Sequence, residues 1–257
     1  MSRVSVEVAD RVARLTLNRP EAGNALNIEL ANELAAAAEG LHGSDIGAVI
    51  LTGAGKAFCV GGDLKWMYDQ GDAVRDAVLR LATRFHDGIE ALATLDAPVI
   101  SAVRGAAAGG GMSLAIAADI VVAAESARFT MAYSAIGFSP DGGSSWTLPR
   151  LVGLRKAAEL MLFNERLEPE AARALGLVNR VVSDEALDAE VDALARQFAD
   201  GPTAALGAVK RLLREPRTFH EQLAEEARTI AELSGSPTGR EGVTAFLEKR
   251  APHWRVS

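Results

Sequence analysis

Two glycine-bearing segments carry the residue types that could act on a substrate. The first segment is Thr52-Gly53-Ala54-Gly55-Lys56-Ala57-Phe58-Cys59-Val60-Gly61-Gly62-Asp63-Leu64, which follows an apolar strand pattern and leads towards helical sequence. A phosphate loop of the form Gly-x-x-x-x-Gly-Lys-Ser/Thr would need glycine where Ile50 stands and a hydroxyl where Ala57 stands, so that chemistry is excluded. Taken alone, the segment is equally a glycine turn that exposes backbone and does nothing more. The second is Gly105-Ala106-Ala107-Ala108-Gly109-Gly110-Gly111-Met112-Ser113-Leu114, again after a strand and entering an apolar helix. Its spacing does not match the dinucleotide pattern Gly-x-Gly-x-x-Gly. Three consecutive glycines weaken a helix, so they imply close backbone approach, and a helix starting there presents free N–H donors and a positive dipole end. Close helix packing is the alternative. Asp141, in Pro140-Asp141-Gly142-Gly143, reads in isolation as ordinary turn chemistry.

These segments must be held by strands and helices, and the hydrophobic spacing supplies both. Alternation predicts a strand over Val12 to Leu17, which Asn18-Arg19-Pro20 breaks. Asn27 is placed to cap a helix in which Leu30, Leu34, Ala37, Ala38 and Leu41 recur at helical spacing before Gly43 stops the run. Ala48 to Leu51 and Val99 to Val103, the latter directly after Pro98, are short apolar strands. Strand, helix, strand is the grammar of a layered α/β protein. After Asp141 the pattern predicts helices alone: Leu154 to Phe163, Pro169 to Leu175, Asp184 to Ala199, Pro202 to Leu213, Phe219 to Leu233 and Arg240 to Lys249. The break at Asp200-Gly201-Pro202 divides the chain into a core over 1–200 and a helical segment over 201–257, too small to bury its own apolar face.

The bulk composition narrows the function classes. A chain of 257 residues with 49% apolar residues has ample material for a core. A single cysteine, Cys59, cannot form an internal disulfide and reads as a small buried apolar residue. The composition suits a reducing compartment, and Arg3, Glu7 and Asp10 interrupt the opening segment where a secretory signal would be apolar, so cytoplasm is the expected location. The apolar runs Met112 to Ala118 and Ile120 to Ala124 are separated by Asp119 and too short to cross a bilayer, so no membrane span is expected. A formal net charge of −7 disfavours nucleic acid, and pairs such as Lys210-Arg211 and Lys249-Arg250 are expected on solvated helix faces.

Together the two loops resemble those of the crotonase (enoyl-CoA hydratase/isomerase) superfamily. The resemblance extends through Leu17-Asn18-Arg19-Pro20 with Asn24-Ala25-Leu26, Pro140-Asp141-Gly142-Gly143, Leu148-Pro149-Arg150-Leu151-Val152-Gly153 and Ala174-Leu175-Gly176-Leu177-Val178-Asn179. It implies an α/β fold, a spiral of ββα turns with a helical C-terminal trimerisation segment. It further implies an acyl-coenzyme A thioester substrate, no permanently bound cofactor, no metal, and a homotrimer or dimer of trimers. Gly62 and Gly110 then occupy the positions whose N–H groups form an oxyanion hole. The physical logic is that removing a proton beside a thioester places negative charge on its carbonyl oxygen, where preset donors are worth several kcal/mol. The resemblance places coenzyme A against Ala22, Ala25, Leu26, Cys59, Gly61, Asp63 and Leu64, with Phe246 and Lys249 of a neighbouring copy at the nucleotide end.

The departures from that family are equally informative. Its hydratases carry two glutamates at the positions of Ser113 and Tyr133, and neither residue here is acidic. Asp141 in its Pro-Asp-Gly-Gly context resembles 1,2-epoxyphenylacetyl-CoA isomerases and related enoyl-CoA isomerases. The segments Phe129-Thr130-Met131-Ala132-Tyr133 and Arg240 to Arg250 are similar to that subgroup. This implies an isomerase with Asp141 as proton shuttle, and Tyr133 as a residue shaping the acyl pocket. His86 aligns with a histidine base of 4-chlorobenzoyl-CoA dehalogenases, whose aspartate at the Asp141 position is a nucleophile, but Tyr133 stands where those enzymes have tryptophan. The alternatives are an enoyl-CoA hydratase, an aryl-CoA dehalogenase-like hydrolase and a non-catalytic acyl-CoA binder, the last opposed by the retained Asp141, while the family's RNA-binding members are disfavoured by the acidic balance.

Overall fold

The computed structural model describes residues 2–255. Its elements in chain order are β1 (Val4–Ala9), β2 (Val12–Leu17), α1 (Ile28–Glu39), β3 (Ala48–Gly53), α2 (Leu64–Asp69), α3 (Val74–Thr94), β4 (Val99–Val103), β5 (Ala106–Ala108), α4 (Gly110–Ile116), β6 (Ile120–Ala124) and β7 (Arg128–Thr130). There follow α5 (Ser144–Val152), α6 (Leu154–Phe163), α7 (Pro169–Ala174), β8 (Arg180–Val182), α8 (Leu187–Ala199), α9 (Thr203–Arg214), α10 (Phe219–Gly235) and α11 (Pro237–Glu248). A six-stranded sheet runs in the order β1-β2-β3-β4-β6-β8, and β5 pairs with β7 in a second, smaller sheet. Only the β1–β2 pair is antiparallel in the large sheet.

This is a mixed α/β fold of ββα turns, and the turns can be traced residue by residue. In each, one strand joins the large sheet, the chain crosses to the small one, and a helix returns. β4 leads to β5 and α4, and β6 leads to β7 and, further on, α5. β3 leads to a stretch at Cys59 that bridges to Ala107 of β5, and then to α2. Both faces of the large sheet are covered, as a parallel sheet requires. In β3, Val49 and Leu51 face one apolar cluster with α1, α3 and α4, while Ala48 and Ile50 face a second cluster with Leu187, Val191, Leu194 and Ala195 of α8. Each fully buried branched side chain of this kind contributes about 1.5–3 kcal/mol.

Asn27 caps α1 as its side chain accepts the Leu30 N–H at 3.0 Å. The helix ends at Glu39 with Gly40 as its cap, earlier than the expected stop at Gly43, and Leu41 lies beyond it. The expectation of helices alone after Asp141 is corrected by β8. Three residues are too few to show alternation, and they become a strand only because β6 offers its edge, pairing Val122 with Arg180 and Ala124 with Val182. The expectation of a solvated face at Lys210 is also corrected. Its Nζ is buried, 2.8 Å from Asp119 Oδ2 and 2.8 Å from the Ala97 carbonyl, where it ties α9 to the core. Burial pulls the Lys210 ammonium below its ordinary value, with Asp119 opposing that shift. Beyond α9, α10 packs against α9 and α11 and buries no residue of its own. Among the described residues, no helix is long and apolar enough to cross a membrane.

Candidate active site

Successive ββα turns end at helix starts, and these starts gather in one place. The Ala22–Leu26 segment is zipped to the first of them: Leu26 N–H donates to the Gly61 carbonyl at 2.7 Å and Asp63 N–H donates to the Leu26 carbonyl at 2.8 Å. That pairing takes the carbonyl of Gly61 and the N–H of Asp63, and the Gly62 N–H between them has no part in it. Gly61 has φ +96°, and a β-carbon on it would lie 2.8 Å from the Ala108 carbonyl oxygen, so glycine is required for the crossing. Asp63 caps α2, accepting the Trp66 N–H at 3.0 Å.

Arg19 braces the same corner. Its guanidinium donates to the Ala25 carbonyl at 2.6 Å and to Asp63 Oδ2 at 3.0 Å. Burial acts to raise the Asp63 carboxyl, but the Trp66 N–H and the Arg19 guanidinium outweigh it and hold the group below the usual carboxylate range. The Asn24 side chain completes the brace by donating to the Ala54 and Ala57 carbonyls at 2.9 and 2.8 Å, while accepting the Arg19 N–H at 2.8 Å.

The second helix start is Gly110, first residue of α4 and therefore one of the N–H groups without an intrahelical acceptor. It follows Gly109 at φ 52°, whose N–H is held by the Thr130 carbonyl at 3.0 Å. The third is the Asp141-Gly142-Gly143 turn leading into α5.

A cavity of about 610 Å³ opens between these starts, and Leu26, Gly61, Gly62, Leu64, Gly110 and Asp141 all line it. Ala22, Ala25, Cys59 and Asp63 do not. Cys59 is fully buried, which pushes its thiol up to about 12. Phe246 and Lys249 lie on and just after α11, outside the lining of this chain's own cavity. The remaining wall is mostly apolar, with Arg75 and Ser139 as its polar members, and comes mostly from residues that the sequence reading passed over. They are Val78, Leu79, Leu81, Ala82 and Phe85 of α3, Met67 of α2, and Ile136 and Phe138 of the 132–139 loop. The available signal was the helical recurrence of Ala77, Leu81, Phe85, Gly88 and Leu92 along α3. Among the described residues that line the cavity, Asp141 is the only carboxylate.

The polar side chains of the site form a chain. The Tyr133 hydroxyl donates to Asp141 Oδ1 and lies 3.2 Å from Ser113 Oγ. Burial first, and then the Asp141 carboxylate, push the Tyr133 phenol far above its ordinary value, so it stays protonated. Tyr133 lines the cavity as expected, and in addition it grips the aspartate. His86 stands outside the cavity wall. Its Nε2 accepts the Gly142 N–H at 3.0 Å and lies 3.7 Å from Asp141 Oδ2. A ring nitrogen that accepts carries no proton, so His86 fixes the loop through Gly142 rather than pairing with Asp141 as an imidazolium.

Comparison with known proteins agrees with this fold. The sequence profile of the enoyl-CoA hydratase/isomerase family matches residues 7–256. A probable enoyl-CoA hydratase of Rhodobacter capsulatus is 42% identical over 98% of this chain and 97% of its own length. A 1,2-epoxyphenylacetyl-CoA isomerase of Escherichia coli is 40% identical over 99% of this chain and 98% of its own. The crystal structure of an enoyl-CoA hydratase from Polaromonas sp. JS666 superposes with a TM-score of 0.94 at 36% identity, covering 98% of this chain and 99% of that one. With matches of that extent in sequence and in fold, the chain belongs to the enoyl-CoA hydratase/isomerase family.

Proposed function

We propose that the protein is an acyl-CoA isomerase that works through a thioester enolate, with Asp141 carrying the proton. The observation that supports this reading is that Gly62, Gly110 and a single carboxylate line one largely apolar cavity. Asp141 takes a proton from the carbon beside the thioester carbonyl. The C–H bond electrons pass to the carbonyl oxygen, where the Gly62 and Gly110 N–H groups meet the charge. The same carboxylic acid returns the proton to a different carbon, so the double bond moves and nothing is consumed. Hydration is the chemistry named for the Rhodobacter relative, and two-carboxylate hydration would need a second acid/base group. Ser113 and Tyr133 supply a hydroxyl and a phenol that stays protonated. The apolar wall suits an acyl chain or ring, and the isomerase named for the Escherichia coli relative favours the ring.

The same reading makes the working unit a homotrimer or dimer of trimers. Phe219, Ile230, Phe246 and Leu247 are exposed on helices α10 and α11, an apolar face that another copy would cover. A neighbouring copy then brings its Phe246 and Lys249 to the nucleotide end of coenzyme A, with Ala22, Ala25 and Leu64 along its path. The direct test is Asp141→Asn, which keeps shape but cannot accept a proton. Exchange of the α-proton with deuterated solvent should fall roughly 10²–10⁴-fold. Affinity for a non-reactive acyl-CoA should stay within a few-fold. A variant exchanging at the wild-type rate removes Asp141 from the mechanism.

A further inference from the structure

The two oxygens of the Asp141 carboxylate have different surroundings. Oδ1 accepts the Tyr133 hydroxyl, which is itself steadied by Ser113 Oγ at 3.2 Å, a residue buried on α4. Oδ2 has no hydrogen-bond donor among the described residues. His86 Nε2 lies 3.7 Å away, and its lone pair is already taken by the Gly142 N–H at 3.0 Å, so it has no proton to offer. The turn is rigid on its other side as well. The Asp141 carbonyl accepts the Ser144 hydroxyl at 2.8 Å, and Gly142 at φ +62° is wedged so that a β-carbon would lie 2.8 Å from Ser113 Cβ.

We propose that Tyr133 is a positioning residue for proton transfer: its hydroxyl occupies Oδ1 of Asp141 and reserves Oδ2 as the atom that exchanges the proton with the acyl group. This rests on Asp141 being the proton carrier. A carboxylate free to rotate would present either oxygen in either of two lone-pair directions. One oxygen tied to a partly buried phenol removes that freedom, and a fixed geometry is what a two-site transfer between carbons needs. The phenol does not itself ionise, since burial and the adjacent carboxylate both oppose the phenolate. The residue acts through Asp141 and not on the substrate.

The coupling can be read without any turnover. The chain has two tyrosines, so in a Tyr68→Phe background the phenolate absorbance belongs to Tyr133 alone. Adding Asp141→Asn removes the anion beside the phenol, and Tyr133 should then ionise at lower pH than in the Tyr68→Phe parent. An unmoved titration means that the two side chains are not paired, and overturns the proposal. The kinetic arm is Tyr133→Phe, which keeps the ring in the cavity wall. The rate of α-proton exchange at saturation should fall roughly ten- to hundred-fold, the range carried by a hydrogen bond to a charged group, with KM within about three-fold. Ser113→Ala, which leaves the Tyr133–Asp141 bond in place, should lose less. A full rate in Tyr133→Phe overturns the proposal, as does a loss seen only in KM. An active Asp141→Asn together with a shifted Tyr133 titration would instead keep the pairing and reject Asp141 as the proton carrier, so the two failures are distinct.

Discussion

Gly110 and Gly111 are neighbours at the start of one helix, and alanine at each should fail in a different way. At Gly110 a β-carbon would lie 2.7 Å from Leu26 Cδ1 and 3.4 Å from Phe85 Cε1, both ends of side chains that can turn aside. Alanine also regains about 0.5–1 kcal/mol of helix propensity over glycine. Folding stability of Gly110→Ala should therefore stay within about 1 kcal/mol of the parent. At Gly111 the β-carbon would lie 2.1 Å from the Cys59 carbonyl oxygen and 2.7 Å from its carbon, both backbone. That carbonyl accepts the Ala108 N–H at 2.9 Å, so making room breaks a bond between the Cys59 stretch and β5. Overpacking at about 1–3 kcal/mol and the bond at about 0.5–1.5 kcal/mol place Gly111→Ala at about 2–4 kcal/mol of destabilisation. For a chain of this size that lowers the thermal midpoint by roughly 5–15 °C. Catalysis should reverse the order. On the proposed mechanism the Gly110 N–H meets the enolate oxygen, and Leu26, which must yield, lines the same cavity. Exchange of the acyl α-proton in Gly110→Ala should fall up to about 10²–10³-fold, the cost of a lost oxyanion donor. Scanning calorimetry and proton exchange followed by NMR measure both quantities on each variant. Full exchange activity in Gly110→Ala would make Gly110 a packing glycine, and an undisturbed melting curve for Gly111→Ala would refute the steric reasoning.

Removing Lys210 leaves Asp119 without its closest cation, so Lys210→Met should destabilise the chain by about 3 kcal/mol in urea unfolding, and a stability equal to the parent would show the pair to be dispensable. Cys59 is fully buried with its thiol pushed up to about 12, so an aromatic disulfide reagent at neutral pH should label no thiol in the native protein and one after denaturation. Raising the pH towards that value favours the thiolate but does not open the core, so native labelling should follow unfolding rather than thiol ionisation. Light scattering at micromolar concentration should give a mass of three or six chains, and a mass of one chain would remove the proposed role of Phe246 and Lys249 from a neighbouring copy.

What could be read along the chain was local. Asn27 caps α1 because a short side-chain acceptor three residues before Leu30 satisfies a helix donor whatever surrounds it. Val99–Val103 reads as a strand because a mostly apolar run after Pro98, with Ser101 its one polar residue, has no other natural place than a two-sided sheet. The glycines at 61, 62 and 109–111 stood out by type and spacing, and the family resemblance supplied their grouping and singled out Asp141. Short or distant pairings were not legible in this way. β5, β7 and β8 are three residues each, below any period that pattern can resolve, and exist as strands because other segments present their edges. Lys210 looks like any charged residue on a helix, and only the fold sets it beside Asp119 and the Ala97 carbonyl. Tyr133 and Asp141 are separated by a loop that turns back on itself, and His86 reaches Gly142 from a helix 56 residues earlier. Sequence, with the family resemblance, thus determined which residues are proposed to stabilise an enolate and move a proton. Tertiary structure decided which oxygen of Asp141 is occupied, because hydrogen-bond partners are chosen by proximity in space and not by order along the chain.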